Sequence, residues 1–371
     1  MRVLHIIEIR GIGGAENLII DFIPSQLNTG MQVQCVILYM SKYKNDAVSF
    51  ANRLATRDLE IRLVEFTNVL LLLPVLVKVQ RLIKLSNPDI IHTHLRVAEL
   101  VIALLKKHNL KVPVVTTAHG FADKFNYFKL RLFLVKRLIK DIEGHAFVSN
   151  VIKEFYLKYN LINAKSLTTI IHNGYRSIGS SPRVKPIDKN NIKLILWGRL
   201  VERKGHKYAI EAVKILKEKY PHLLLDFYGA GPFEKKIREM INDAGLQQNV
   251  FLRGFSENIS QNLGAYDIAL VPSFHEPFGM VFLEAFDAQI PVVAFDLPAG
   301  NEIIKQNVSG LLAVPSSSAS LAEKIESLIL DDKLRNKIIT NGVQTLQDNF
   351  TIEKMSARYL AFYSEISETG F

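Results

Sequence analysis

Short apolar runs alternate with longer segments of helical period along almost the whole chain, as in parallel sheets assembled from strand–helix–strand units. In the first half the pattern predicts strands at Val3–Ile9, Gln34–Tyr39, Ile61–Glu65, Ile90–Thr93, Val114–Ala118, His145–Val148 and Thr168–Ile171, with helices between them. Asn173-Gly174 is a turn signal, and the polar, proline-containing stretch Ser177–Asn191 lacks periodicity and reads as a linker. The pattern then restarts. Strands are expected at Lys193–Trp197, Leu223–Tyr228, Val250–Arg253, Ile268–Pro272, Val292–Ala294 and Gly310–Val314, and helices at Lys204–Lys219, Phe233–Ala244, Phe278–Ala288 and Ser320–Leu330. The fold expected is α/β: two doubly wound, Rossmann-like domains, residues 1–178 and 190–350, facing each other across a cleft, with ligands at the carboxyl ends of strands. The pattern fixes no place for a last helix within 351–371; packing back on the first domain is one arrangement open to it.

Length and composition narrow the class. A chain of 371 residues suggests two domains, and 48% hydrophobic with 22% charged residues excludes a disordered or collagen-like protein. Cys35 is the single cysteine, which excludes an internal disulfide or a cysteine-rich zinc site and points to a reducing, cytoplasmic compartment. The longest apolar run, Val69–Val77, contains Pro74 and falls far short of the roughly 20 residues that span a bilayer. The first residues, with Glu8 and Arg10 soon after a brief apolar run, read as a strand and not as an export signal.

Charge is placed unevenly. Residues 1–180 hold 24 Lys and Arg against 13 Asp and Glu, a net +11, whereas residues 181–371 come to −1. A basic half suggests an anionic partner, nucleic acid or membrane. The stretch Phe121–Lys140 carries Lys124, Lys129, Arg131, Lys136, Arg137 and Lys140. Helical spacing groups Lys129, Lys136 and Lys140, while Phe128, Leu132 and Val135 form an apolar stripe, the profile of a surface helix attracted to anionic lipid. An ordinary packed helix with solvated lysines is the alternative. Nucleic acid is disfavoured, because the aromatic residues are not on strands and no recognition motif is present.

Candidate chemistry sits where strands end. Gly11-Ile12-Gly13-Gly14-Ala15-Glu16 opens a helix after the first strand, and glycine there lets backbone N–H groups approach a phosphate. It is not the dinucleotide fingerprint: Glu16 stands where that motif has glycine, and the second strand closes on Leu38-Tyr39-Met40 without an acid. Gly198-Arg199-Leu200-Val201-Glu202-Arg203-Lys204-Gly205 follows a strand and sets a guanidinium and an ammonium where both reach a diphosphate. In Pro272-Ser273-Phe274-His275-Glu276-Pro277-Phe278-Gly279-Met280-Val281-Phe282-Leu283-Glu284-Ala285, Glu276 falls in a loop and Glu284 on the following helix. At ~1.5 Å per helical residue the two carboxylates lie on the order of 10 Å apart, too far to share a proton but suited to two ends of an extended ligand. His92 and His94 are expected to point to opposite faces of their strand, which leaves no metal site; nor is there an Asp-X-Asp motif to hold a divalent cation.

These motifs, in this order, resemble family 4 of the retaining nucleotide-sugar glycosyltransferases, whose two-domain fold is called GT-B. The resemblance also takes in Thr117-Ala118-His119-Gly120, Ile171-His172-Asn173-Gly174 and Asp267-Ile268-Ala269-Leu270-Val271-Pro272-Ser273, and so covers nearly the whole chain. Asp287-Ala288-Gln289-Ile290 departs from the family's small-residue turn, and Pro298-Ala299-Gly300-Asn301-Glu302 is a variant of its glycine-rich acidic segment. The resemblance implies that Arg199 and Lys204 neutralise the donor diphosphate, beside Gly13, Gly14, Gly279, Met280 and Val281. It places Glu284 on the ribose hydroxyls, Glu276 on a sugar hydroxyl and His119 near the reacting carbon. It further implies a UDP-sugar donor, a lipid-linked saccharide acceptor, no cofactor and no metal, and a site of action at the inner face of the cell membrane. An epimerase of the same fold and a non-catalytic sugar-binding scaffold are the alternatives. The spacing of the glutamates speaks against the first, and the joint presence of Arg199, Lys204, Glu276 and Glu284 against the second.

Overall fold

The first strand has buried side chains at every position from Val3 to Ile9, on both of its faces. Only a sheet covered by helices on both sides buries such a run, and parallel pairing with helical crossovers provides that cover. The computed structural model describes residues 1–11, 13–56, 58–67, 73–121, 139, 142–179 and 186–369. The chain folds into two compact units, Met1–Arg176 with Ile352–Phe371, and Ser177–Thr351.

The strands of the first unit are β1 (Arg2–Ile9), β2 (Gln32–Met40), β3 (Glu60–Phe66), β4 (Ile90–His94), β5 (Val114–Ala118), β6 (Gly144–Phe147) and β7 (Leu167–Ile170). They form one parallel sheet in the order β3-β2-β1-β4-β5-β6-β7. Those of the second are β8 (Lys193–Trp197), β9 (Leu224–Tyr228), β10 (Val250–Gly254), β11 (Ile268–Val271), β12 (Val292–Phe295) and β13 (Leu311–Ala313), in the order β10-β9-β8-β11-β12-β13. All thirteen expected strands are therefore present among the described residues, as two parallel α/β sheets. In each sheet the winding reverses between two neighbours, β1 and β4 or β8 and β11. At such a point the connections diverge and leave a crevice at the carboxyl ends of the strands.

Two helices close the chain. Asp331 caps the helix Asp332–Asn349, its carboxylate accepting from the Leu334 N–H at 2.9 Å. That helix was not expected from the sequence. The helix Ile352–Glu368 belongs to the first unit and buries Ser356, Tyr359 and Tyr363. Its Ile366 side chain occupies the space a Cβ at Gly144 would need, and its Met355 sulfur accepts from the Gly174 N–H at 3.0 Å. No helix among the described residues is long and apolar enough to cross a membrane. Lys124, Lys129, Arg131, Lys136, Arg137 and Lys140, read as a lipid-facing or acceptor-side patch, lie outside the described residues.

Candidate functional site

In the second unit the loops after β8 and β11 meet at the winding reversal. Gly205 ends a short 3-10 turn, Glu202–Lys204, with φ +73, and a Cβ on it would lie 1.9 Å from the Pro272 carbonyl oxygen at the end of β11. Phe274 N–H donates to the Arg203 carbonyl at 2.8 Å, and Arg203 returns a bond to the His275 carbonyl at 2.6 Å. The glycines of Gly229-Ala230-Gly231 serve the same packing: Cβ atoms there would press to 1.9 Å from the Gly198 oxygen and 2.2 Å from the Leu200 oxygen. The backbones thus touch where no side chain fits. Gly205→Ala is expected to cost more than about 2 kcal/mol, from the left-handed torsion and the clash together, and to lower the melting temperature by roughly 5 °C or more. Gly245→Ala, at φ +66 with nothing within 4 Å of its Cβ, meets the torsional penalty alone and serves as the control in thermal melts.

This frame fixes Lys204. The residue is buried, its chain packs 3.5 Å from the Cβ position of Gly198, and its Nζ donates to Glu276 Oε1 at 2.5 Å. The side chains of Lys204 and Glu276 are only 10% and 11% exposed, so the pair is shielded from bulk solvent. Glu284 is half-buried on the helix Met280–Asp287 and accepts a hydrogen bond from the Trp197 indole N–H. Burial pushes the Glu284 carboxyl above its ordinary range, against the Trp197 hydrogen bond and the Lys204 charge, which pull it down. Along that helix Phe282, Leu283, Ala285, Phe286 and Asp287 are buried, and only Met280, Val281 and Glu284 retain access to solvent. Gly279 precedes it at φ +101, where a Cβ would meet the Phe282 ring at 2.6 Å. Arg199 is exposed on the same β8 loop.

Sequence reasoning missed Trp197, whose hydrogen bond to Glu284 crosses 87 positions; its signal was a lone tryptophan closing a strand immediately before the Gly198 loop. It also set Lys204 and Glu276 on different parts of a ligand, whereas here they are joined to each other. Glu276 keeps its second oxygen free of that bond. The Asp287 variant has a local reason. Its carboxylate accepts from Ser177 Oγ and, at 3.1 Å, from the Ile178 N–H, and Gln289 takes the left-handed turn at φ +57 that a glycine would otherwise occupy.

In the first unit, Gly13 caps the helix Gly14–Leu27, and its N–H is taken by Glu16 Oε2 at 3.0 Å, which explains the glutamate in the glycine motif. A Cβ at Gly14 would meet nothing within 4 Å, so the first helical turn is open to close approach. His119 follows β5. Its Nε2 lies 3.2 Å from His94 Nδ1, its own Nδ1 is buried with no hydrogen-bond partner, and burial pushes its pKa down to about 4.

The reading of His92 and His94 is corrected. Residues two apart on a strand share a face, and their rings lie 4.0 Å apart beside His5 of β1, whose register partner is His92. Ring nitrogens of His5, His92 and His94 come within 4.8 Å of one another, a spacing that admits a metal ion. Every ring nitrogen of the three is nevertheless engaged at 2.6–3.2 Å by a neighbouring side chain.

Residues 12–176 match the family described as Glycosyltransferase Family 4, and residues 178–345 match that described as Glycosyl transferases group 1. The chain belongs to the GT-B glycosyltransferases of the family 4 type. Among its relatives, the putative glycosyltransferase EpsD of Bacillus subtilis is 28% identical over 77% of this chain and 80% of its own length. LpsE of Rhizobium meliloti, a lipopolysaccharide core biosynthesis glycosyltransferase, is 31% identical over 44% of this chain and 47% of its own. The crystal structure of Anabaena HepE in complex with UDP superposes with a TM-score of 0.82 over 98% of this chain and all of that one. At 21% identity that likeness is one of fold. Within this GT-B glycosyltransferase, the crevice between β8 and β11 is the position where an open α/β sheet takes a nucleotide.

Proposed function

We propose that this glycosyltransferase moves a sugar, with retention of anomeric configuration, from a UDP-sugar to a lipid-linked saccharide in the synthesis of a cell-envelope glycan. The observation that carries the reading is the Lys204–Glu276 pair beside Glu284 and Trp197, held at the winding reversal of a Rossmann-ordered sheet. In the reaction the bond from the anomeric carbon to the diphosphate oxygen breaks, an acceptor hydroxyl oxygen bonds to the same face of that carbon, and the hydroxyl proton leaves with the diphosphate. Negative charge grows on the leaving diphosphate, and cations already in place stabilise it without reorganising. Arg199 and Lys204 are assigned that work. Glu284 holds the ribose hydroxyls, Glu276 uses its second oxygen on a sugar hydroxyl, and His119 faces the donor sugar. The positive charges of Arg199 and Lys204 take the part on the diphosphate that a divalent cation would otherwise play. HepE's complex with UDP and LpsE's part in lipopolysaccharide core synthesis support the donor and acceptor classes, and the net +11 of residues 1–180 supports work at an anionic membrane surface.

The test is release of nucleoside diphosphate from a panel of UDP-sugars, with acceptor supplied in anionic vesicles. Release with one or two donors, unaffected by excess chelator and giving a product with the donor's anomer by NMR, is expected. An inverted product would remove the retaining assignment, and conversion of the donor to an isomer without diphosphate release would make the protein an epimerase. Glu284→Gln should mainly raise the donor KM, since ribose contacts are alike in ground and transition states, whereas Glu276→Gln should mainly lower kcat.

A further inference from the structure

The buried histidines of the first unit form an ordered relay that ends at His119. Gln26, on the helix Gly14–Leu27, lies at its start: His5 Nε2 is 2.6 Å from Gln26 Oε1. A carbonyl oxygen only accepts, so the proton of the neutral His5 ring is on Nε2 and its Nδ1 is a lone pair. His94 Nε2 lies 2.9 Å from that lone pair and must therefore carry its ring's proton, which leaves His94 Nδ1 to accept from His119 Nε2 at 3.2 Å. Each ring passes the same polarity to the next. The relay closes at His119 Nδ1, a buried acceptor with no partner.

The rings are neutral on geometric grounds. None of the three has a carboxylate among its hydrogen-bond partners, and a second proton on His5 or His94 would set N–H against N–H. Burial, which holds His5 and His119 down to about 4, acts in the same direction. A lone pair on the partnerless His119 Nδ1 avoids burying an N–H without an acceptor, and this favours the same orientation of Gln26. Its amide NH2 donates to Tyr363 Oη at 3.1 Å, Tyr363 in turn donates to His92 Nδ1 at 2.6 Å, and His92 Nε2 donates to Thr117 Oγ1 at 2.6 Å. One side chain thus sets the hydrogen-bond direction of two branches, and it does so from the far side of the histidine cluster. A metal ion on His5, His92 and His94 would have to break these bonds.

We propose that Gln26, acting through His5 and His94, is a positioning residue that holds His119 in the tautomer with its proton on Nε2 and its lone pair on Nδ1. His119 then meets a donor hydroxyl as an acceptor, where the other tautomer would present an N–H. That consequence rests on the place given to His119 under the proposed function; the tautomer does not.

The test is a long-range proton–nitrogen correlation spectrum of the full chain with 15N-labelled histidine, at neutral pH and without ligand. The expected wild-type result is an unprotonated Nδ1 and a protonated Nε2 for His5, His94 and His119. A proton on His119 Nδ1 overturns the proposal, because it means that Gln26 is turned the other way and both branches run in reverse. Gln26→Met should leave His119 as a mixture of tautomers and lower kcat/KM for the donor roughly tenfold, the worth of about one hydrogen bond. Affinity for free UDP should not change. An unaltered His119 tautomer in a folded Gln26→Met protein also overturns the proposal, and should that variant not fold, the wild-type spectrum decides alone. The expected tautomer in a protein that releases no diphosphate from any donor would sink the proposed function and leave this inference standing.

Discussion

Lys204→Ala is expected to lower kcat/KM for sugar transfer by ~10²–10³-fold, the usual consequence of removing one preorganised group that stabilises developing negative charge. It should also destabilise the protein. Lys204 and Glu276 are both shielded, and truncating the lysine leaves a carboxylate without its cation in a poorly solvated place, a change worth about 3 kcal/mol. The two effects separate in the double variant Lys204→Met with Glu276→Gln. No uncompensated charge remains there, so the denaturant midpoint should recover most of its loss while transfer stays low. Steady-state kinetics and chemical denaturation on the three proteins provide the check. Full recovery of transfer in the double variant would mean that neither Lys204 nor Glu276 acts on the substrate, and the diphosphate would have to be held by Arg199 and backbone groups.

The parts of this molecule that were legible in its sequence are those governed by local patterns. Buried parallel strands must be apolar on both faces, so runs such as Leu4–Ile9 and Leu194–Trp197 stand out against the amphipathic segments around them. Loops that end such strands and need glycine are equally visible, because Gly198, Gly205, Gly229 and Gly231 are required where backbone meets backbone. The helix Asp332–Asn349 lacked such a signal. It is polar over most of its surface and carries Gly342 in its middle, normally a helix weakener, yet the missing Cβ is what lets the Phe286 ring pack within 2.8 Å of that position.

The side-chain partnerships were illegible for a different reason. Trp197 with Glu284, Lys204 with Glu276, and Gln26 with His5 join residues that are distant in sequence or on different elements, and the register that brings them together belongs to the sheet. His92 and His94 show how a local rule, once misapplied, hides a cluster. The two-residue period of a strand puts both rings on one face, and the parallel pairing of β1 with β4 then adds His5 to them. From sequence, His5 was simply one polar residue in an apolar strand. In the fold it is the first ring of a relay.

Glu99 should give the protein a pH-dependent stability of its own. It lies in the first turn of the helix Arg96–Lys107, buried, with Thr116 Oγ1 donating to it at 3.4 Å. Burial raises its pKa from 4.5 to about 7, against the nearby Arg96 charge and the Thr116 hydrogen bond. The sign follows from proton counting. Between pH 4.5 and about 7 the folded state holds this proton and the unfolded state has lost it, so the contribution of Glu99 is complete below pH 4.5 and is lost as pH rises through 7. A shift of that size corresponds to about 3 kcal/mol. His5, His119 and His145 act in the opposite sense, because burial lowers each of them to about 4 and the folded state binds fewer protons than the unfolded one up to about pH 6.5. The raw stability curve therefore sums opposed slopes. The difference between wild type and Glu99→Gln removes the histidines, which both proteins share: unfolding free energies from urea titrations at pH 5, 6, 7 and 8 should show the variant gaining on the wild type by about 3 kcal/mol across the series, most of it before pH 7.5. A difference that stays flat with pH would mean that Glu99 is ionised throughout, with Arg96 and Thr116 outweighing its burial.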